Sequence, residues 1–206
     1  MLRRDLLPAA FDRYARVGEL EFALFEDADG TPEAIVEAVQ QALPSGASFD
    51  GARLLQLGSR VIDQTTFFGD ALSIDGRDLI RRGTWCTADG QELTDPTFRQ
   101  LAGRLVVSGG SGWPDPGAGG NFAHAFCRPV HGPGGDPLEW QQMFDAIRAV
   151  LLPPATPAEI RDWTSPQLDQ VSDYFRPGLE WWGVYLFSVY LPQWRQLAIV
   201  LGSATD

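Results

Sequence analysis

The sequence predicts an α+β fold: a single domain in which four to five helices pack on a mainly antiparallel sheet. Three observations carry this expectation. A capping residue followed by Pro recurs five times, at Thr31-Pro32, Asp95-Pro96, Asp136-Pro137, Thr156-Pro157 and Ser165-Pro166. Asp-Gly pairs at Asp75-Gly76 and Asp89-Gly90 separate short runs, as in hairpins. The last thirty residues read as one long hairpin with an arm that is apolar on both faces.

Each element follows in order. Residues 19–26 alternate, with Leu20, Phe22 and Leu24 set against Glu19, Glu21 and Ala23, the period of a strand. Thr31-Pro32 starts a helix: the first side chain accepts from free amides of the first turn, and Pro fits after it because its missing donor would be unpaired there. Ile35, Val36, Val39 and Leu43 share one face of that helix, which stops at Pro44. Residues 52–58 and 60–68 are β-branched or apolar and read as strands, as do residues 121–130.

Asp136-Pro137 opens the clearest helix, with Glu139 placed for a capping box. Trp140, Met143, Phe144, Ile147 and Leu151 fall on one face, which should pack against the final hairpin, and Pro153-Pro154 ends the run. The starts at Pro96, Pro157 and Pro166 predict shorter helices burying Phe98 and Leu101, Ile160 and Trp163, and Leu168, Val171 and Phe175. The hairpin itself runs over 181–191, turns near Pro192-Gln193 and returns over 195–201, with Trp181 and Trp182 on opposite faces of its first arm. The Gly/Pro-rich stretch 108–120 reads as a long loop within the one domain.

Composition excludes several functions. Sixteen basic residues against 27 acidic ones give a net charge of −11, a field that repels phosphate backbones, so no nucleic-acid partner is expected. All sixteen basic residues are Arg, which removes Schiff-base and phosphate-loop Lys chemistry. Arg3-Arg4 and Arg81-Arg82 are the adjacent basic pairs, and neither forms a patch in the sequence. Two cysteines make no disulfide scaffold, and no apolar run reaches the roughly 20 residues of a membrane span. No membrane partner is expected, and the chain reads as cytoplasmic with reduced thiols.

The chemistry-bearing residues are few. His124, Cys127 and His131 have the ligand types of a zinc site, yet on a strand 124 and 127 face opposite ways and 131 lies beyond Pro129. Ser111, within Gly109-Gly110-Ser111-Gly112-Trp113, misses the G-x-S-x-G spacing of a nucleophile elbow. Asp27-Ala28-Asp29-Gly30 lacks the further acidic ligands of a calcium loop and reads as a turn. Neither a catalytic residue, a metal nor a cofactor is assigned. Trp113 and Asp115 are the expected partner contacts, because a loop Trp supplies area and the Asp a charge.

The function expected is that of a small acidic binding protein, an immunity-type inhibitor that neutralises a basic bacterial toxin enzyme. The alternative is a small hydrolase using Cys127 with His124 or His131, or a zinc version of that segment.

Overall fold

In the computed structural model, residues 8–112, 115 and 117–205 are described. They form an α+β fold with two antiparallel sheets. The larger runs β1-β8-β7-β6-β2, with β1 at Leu20–Phe25, β2 at Arg60–Ile62, β6 at Glu159–Asp162, β7 at Val184–Leu191 and β8 at Gln196–Ser203. The smaller runs β4-β3-β5, with β3 at Thr84–Thr87, β4 at Glu92–Thr94 and β5 at Val106–Gly110.

The final hairpin is the centre of the larger sheet. Leu191 pairs with Gln196 and Val184 with Ser203, so β7 and β8 match along their full length. Because β7 is the middle strand, both of its faces are covered. Tyr185, Phe187, Val189 and Leu191 enter one core, and Val184 and Leu186 enter the other. Trp181 and Trp182 precede the strand in a turn rather than lying within it, and Trp182 is buried.

Helices cover each face. On one lie α2 (Pro32–Ala42) and α3 (Gly51–Leu57), with 3-10 turns at Leu168–Gln170 and Asp173–Phe175. On the other lie α1 (Ala9–Tyr14), α4 (Gln64–Phe68), α5 (Phe122–Cys127) and α6 (Pro137–Leu151). Thr31 caps α2 by accepting from Ala34 N at 3.3 Å, and Asp136 caps α6 by accepting from Leu138 N at 2.9 Å. The full apolar face expected for α6 is buried. Its Phe144 meets Phe122 and Phe126 of α5 and Phe68 of α4; Phe67 of α4 meets Phe187 of β7. The helix thus reaches the central strand in part through a layer of phenylalanines.

Several elements differ from expectation. Residues 52–58 form α3, not a strand, because Asp50 caps Arg53 N at 2.9 Å and Gly58, at φ 74°, ends the turn. Residues 60–68 split into β2 and α4, since Asp63 caps Thr66 N at 2.7 Å. Pro157 starts no helix. Only seven residues separate it from Ser165, and β6 instead pairs with both β7 and β2, so tertiary pairing overrides the local start signal. Pro96 is followed by a turn that buries Phe98 and Leu101 and ends at Gly103, φ 69°. The Pro166 helix is replaced by 3-10 turns that still bury Leu168, Val171 and Phe175. Asp89-Gly90 does join β3 to β4, and Asp75-Gly76 turns the chain between the bridged Leu72 and Leu79.

Candidate functional site

Residues 121–130 carry the largest departure. They form helix α5 rather than a strand, entered through Asn121 in the left-handed region at φ 63°. All six of its residues are buried, so no apolar–polar alternation marks its period. His124 and Cys127 now share one helix face, three positions apart. They do not make a nucleophile–base pair. Cys127 Sγ donates to the His124 carbonyl oxygen at 3.8 Å, not to the ring. Burial pushes the thiol up to about 12, so it stays protonated. Burial, with the Arg128 charge adding to it, pushes His124 down to about 4. His131 is exposed on the turn that follows, and the structure does not bring it to the other two. Among the described residues, no group of three or more His, Cys, Asp or Glu is placed to hold a metal.

Around these two side chains the fold assembles arginines that look scattered in the sequence. Arg81 and Arg82 precede β3, and Arg128 follows α5, forty-odd positions on; all three line one cavity of about 220 Å³ with Trp85, His124 and Cys127. The adjacent Arg81-Arg82 pair is therefore part of a basic cluster that sequence reading missed, because its third member arrives only through α5. The Trp85 indole donates to the Arg81 and Arg82 carbonyls at 3.1 and 3.0 Å, which folds the ring back beneath Arg81. The Arg81 guanidinium lies 3.7 Å from the ring centroid. Arg82 is paired with Asp95 at 2.7 Å and Asp70 at 3.3 Å. Arg128 donates to the Ser111 hydroxyl, to Ser111 O at 3.1 Å and to Gly112 O at 3.0 Å, while its own carbonyl accepts from the Trp182 indole at 2.8 Å. Ser111 thus anchors an arginine and the start of the Gly/Pro-rich loop.

The far end of that loop is held from within. Asp162, whose side chain is 0% exposed, accepts from Gly120 N at 3.1 Å and from Arg60 at 2.8 Å through one oxygen, and from Thr164 N at 2.9 Å through the other. Gly119, at φ 83°, sits so close that a Cβ would strike the Asp162 carboxylate and the Arg60 guanidinium. This clamp sets where α5 begins. Of the expected contacts, Asp115 is exposed in the same loop, and Trp113 lies outside the described residues.

A second feature lies at the opposite edge of the large sheet, where β1 pairs with β8 alone. A groove of about 480 Å³ runs beside it, bordered by Asp12, Glu19 and Glu21 with Phe22 and Tyr174. Among the described residues lining it there is no basic side chain. Glu21 accepts from the Tyr174 hydroxyl at 3.1 Å, and Phe22 packs edge-on against Phe11 and Tyr14.

No family model, no curated protein and no solved structure matches the chain. No helix among the described residues is long and apolar enough to cross a membrane.

The buried histidine predicts a pH dependence. His124 is neutral in the folded protein above about pH 4, while its unfolded counterpart titrates near 6.5. Between those values the unfolded chain binds the extra proton. Stability should therefore fall as pH drops from 6.5 towards 4, by about 3 kcal/mol in all, and stay level with respect to this group above 6.5. Urea unfolding across that window checks it: His124→Gln should flatten this part of the slope, and an equal slope in both proteins would contradict it.

Proposed function

We propose that the chain is an acidic binding protein that inhibits a basic protein, of the toxin-enzyme kind, and that it meets its target along the groove beside β1. The observation that carries this reading is the pairing of an acidic lining, Asp12, Glu19 and Glu21, with a sheet edge. An edge strand offers unpaired backbone groups to an extended segment of a partner, and flanking carboxylates select a basic one. The overall charge of −11 steers such a partner from beyond the contact itself. Phe22, half-buried at the groove, supplies an apolar contact. Asp115, exposed on the Gly/Pro-rich loop, and Trp113 are further contacts in the same proposal.

The test is capture from the native host with identification of what copurifies. Wild type should retain a basic protein in stoichiometric amount. Asp12→Arg with Glu19→Arg should lose it, whereas Glu92→Arg with Asp169→Arg, an equal change of net charge at exposed sites elsewhere, should keep it. Equal retention by both double variants would remove the groove from the interface.

A further inference from the structure

Among the described residues, Arg81 stands on a cavity wall with no carboxylate beside it. With 27 acidic residues available, a half-buried guanidinium ordinarily finds a carboxylate, and Arg82 beside it finds two. Arg81 has none among the described residues. Its Nε is buried without a hydrogen-bond partner, and its guanidinium lies over the face of Trp85. Burial holds the Arg81 guanidinium below its ordinary value, and the nearby charge of Arg128 pushes the same way. A half-buried guanidinium with no carboxylate to neutralise it is costly, so its retention at the wall of a cavity points to an anion that the folded chain does not itself supply.

We propose that the cavity between Trp85 and α5 is a binding site for a carboxylate carried on a small apolar body, with Arg81 as its anchor. The guanidinium edge presents two parallel donors, which match the two oxygens of a carboxylate. Ile80, Pro129 and Val130 give the wall an apolar side that suits a short hydrocarbon body, while Arg82 and Arg128 add positive charge elsewhere on it. Inorganic phosphate has no hydrocarbon body to cover the Ile80, Pro129 and Val130 side of the cavity, which favours a carboxylate carried on an apolar body. Trp85 fixes the plane of the guanidinium before any ligand arrives, so little order is lost on binding. The site shares no lining residue with the groove beside β1 and stands or falls independently of it.

The experiment is a two-dimensional NMR titration of the intact protein, read at the indole N–H of Trp85. Hexanoate should shift that signal saturably, and hexanamide, which keeps the body and loses the charge, should not. Arg81→Gln should weaken hexanoate by about tenfold or more while lowering the thermal midpoint only slightly, since what it takes from the fold is the guanidinium's contact with the Trp85 ring. Arg81→Lys should recover only part of the affinity, for want of the second donor. A short peptide ending in a free carboxylate is titrated alongside its C-terminal amide. Tighter binding of the acid form alone would keep the site and place the carboxylate on a protein chain. An equal response to hexanamide or to inorganic phosphate, no saturable shift with any acid, or an affinity indifferent to Arg81→Gln would each overturn the proposal.

Discussion

Phe144→Ala should lower the unfolding free energy by about 3–5 kcal/mol, the cost of emptying a fully buried aromatic site. Phe144 is 0% exposed and holds the middle of the phenylalanine layer. Its ring centroid lies 5.3 Å from Phe126 and 6.2 Å from Phe122, both of α5, and 5.9 Å from Phe68 of α4. The side chain also carries the Arg148 guanidinium over its outer face at 5.4 Å. Truncation removes contacts to two other elements at once, and both are short helices that cannot close the space without shifting. Urea unfolding measures the loss. A change near zero would mean that α6 does not bury the face assigned to it.

Asp162→Ala should cost about 2–4 kcal/mol, chiefly by stranding the Gly120 and Thr164 amides. The share from Arg60 is small, because that guanidinium is 64% exposed and returns to water. Asp162→Asn, which keeps an acceptor, should cost less. Gly119→Ala should be comparably damaging for a different reason: it asks a side chain to adopt φ 83° and to occupy the space of the carboxylate. Since the clamp fixes the entry to α5, the indole signal of Trp85 should move in these variants as well. A loss below about 1 kcal/mol for Asp162→Ala would show that the loop is not held from this point.

The sequence was legible where two signals agreed. Thr31-Pro32 and Asp136-Pro137 combine a cap with an apolar face of helical period, and both helices stand where that pattern puts them. The β7–β8 hairpin was legible because an eight-residue strand apolar on both faces has few places to go but the middle of a sheet. Where one signal stood alone it misled. Thr156-Pro157 has a cap without room for turns to follow, and sheet pairing claimed the segment. The opposite error occurred at Asp50 and Asp63, caps with no Pro behind them, each with a terminating glycine at Gly58 and Gly69. Reading those Asp…Gly brackets as helix ends would have recovered α3 and α4. Helix α5 offered no such handle, since burial on every side erases amphipathic period.

The basic cavity was illegible for a related reason. Its arginines come from two segments whose approach depends on α5 and on the loop that Asp162 clamps. The acidic groove was half legible: the alternation over 19–26 placed Glu19 and Glu21 on one side of a strand, but only the sheet order made that strand an edge.

The association rate of the captured basic partner, measured by surface plasmon resonance across salt concentrations, tests the binding account most directly. Exposed charges act over about 8 Å at physiological ionic strength, so rising salt should slow association and change dissociation far less. Asp12→Arg with Glu19→Arg should slow association more than Glu92→Arg with Asp169→Arg does, and should also hasten dissociation, because those carboxylates lie in the contact and not merely in the field. An association rate indifferent to salt, or identical kinetics for the two double variants, would contradict the account.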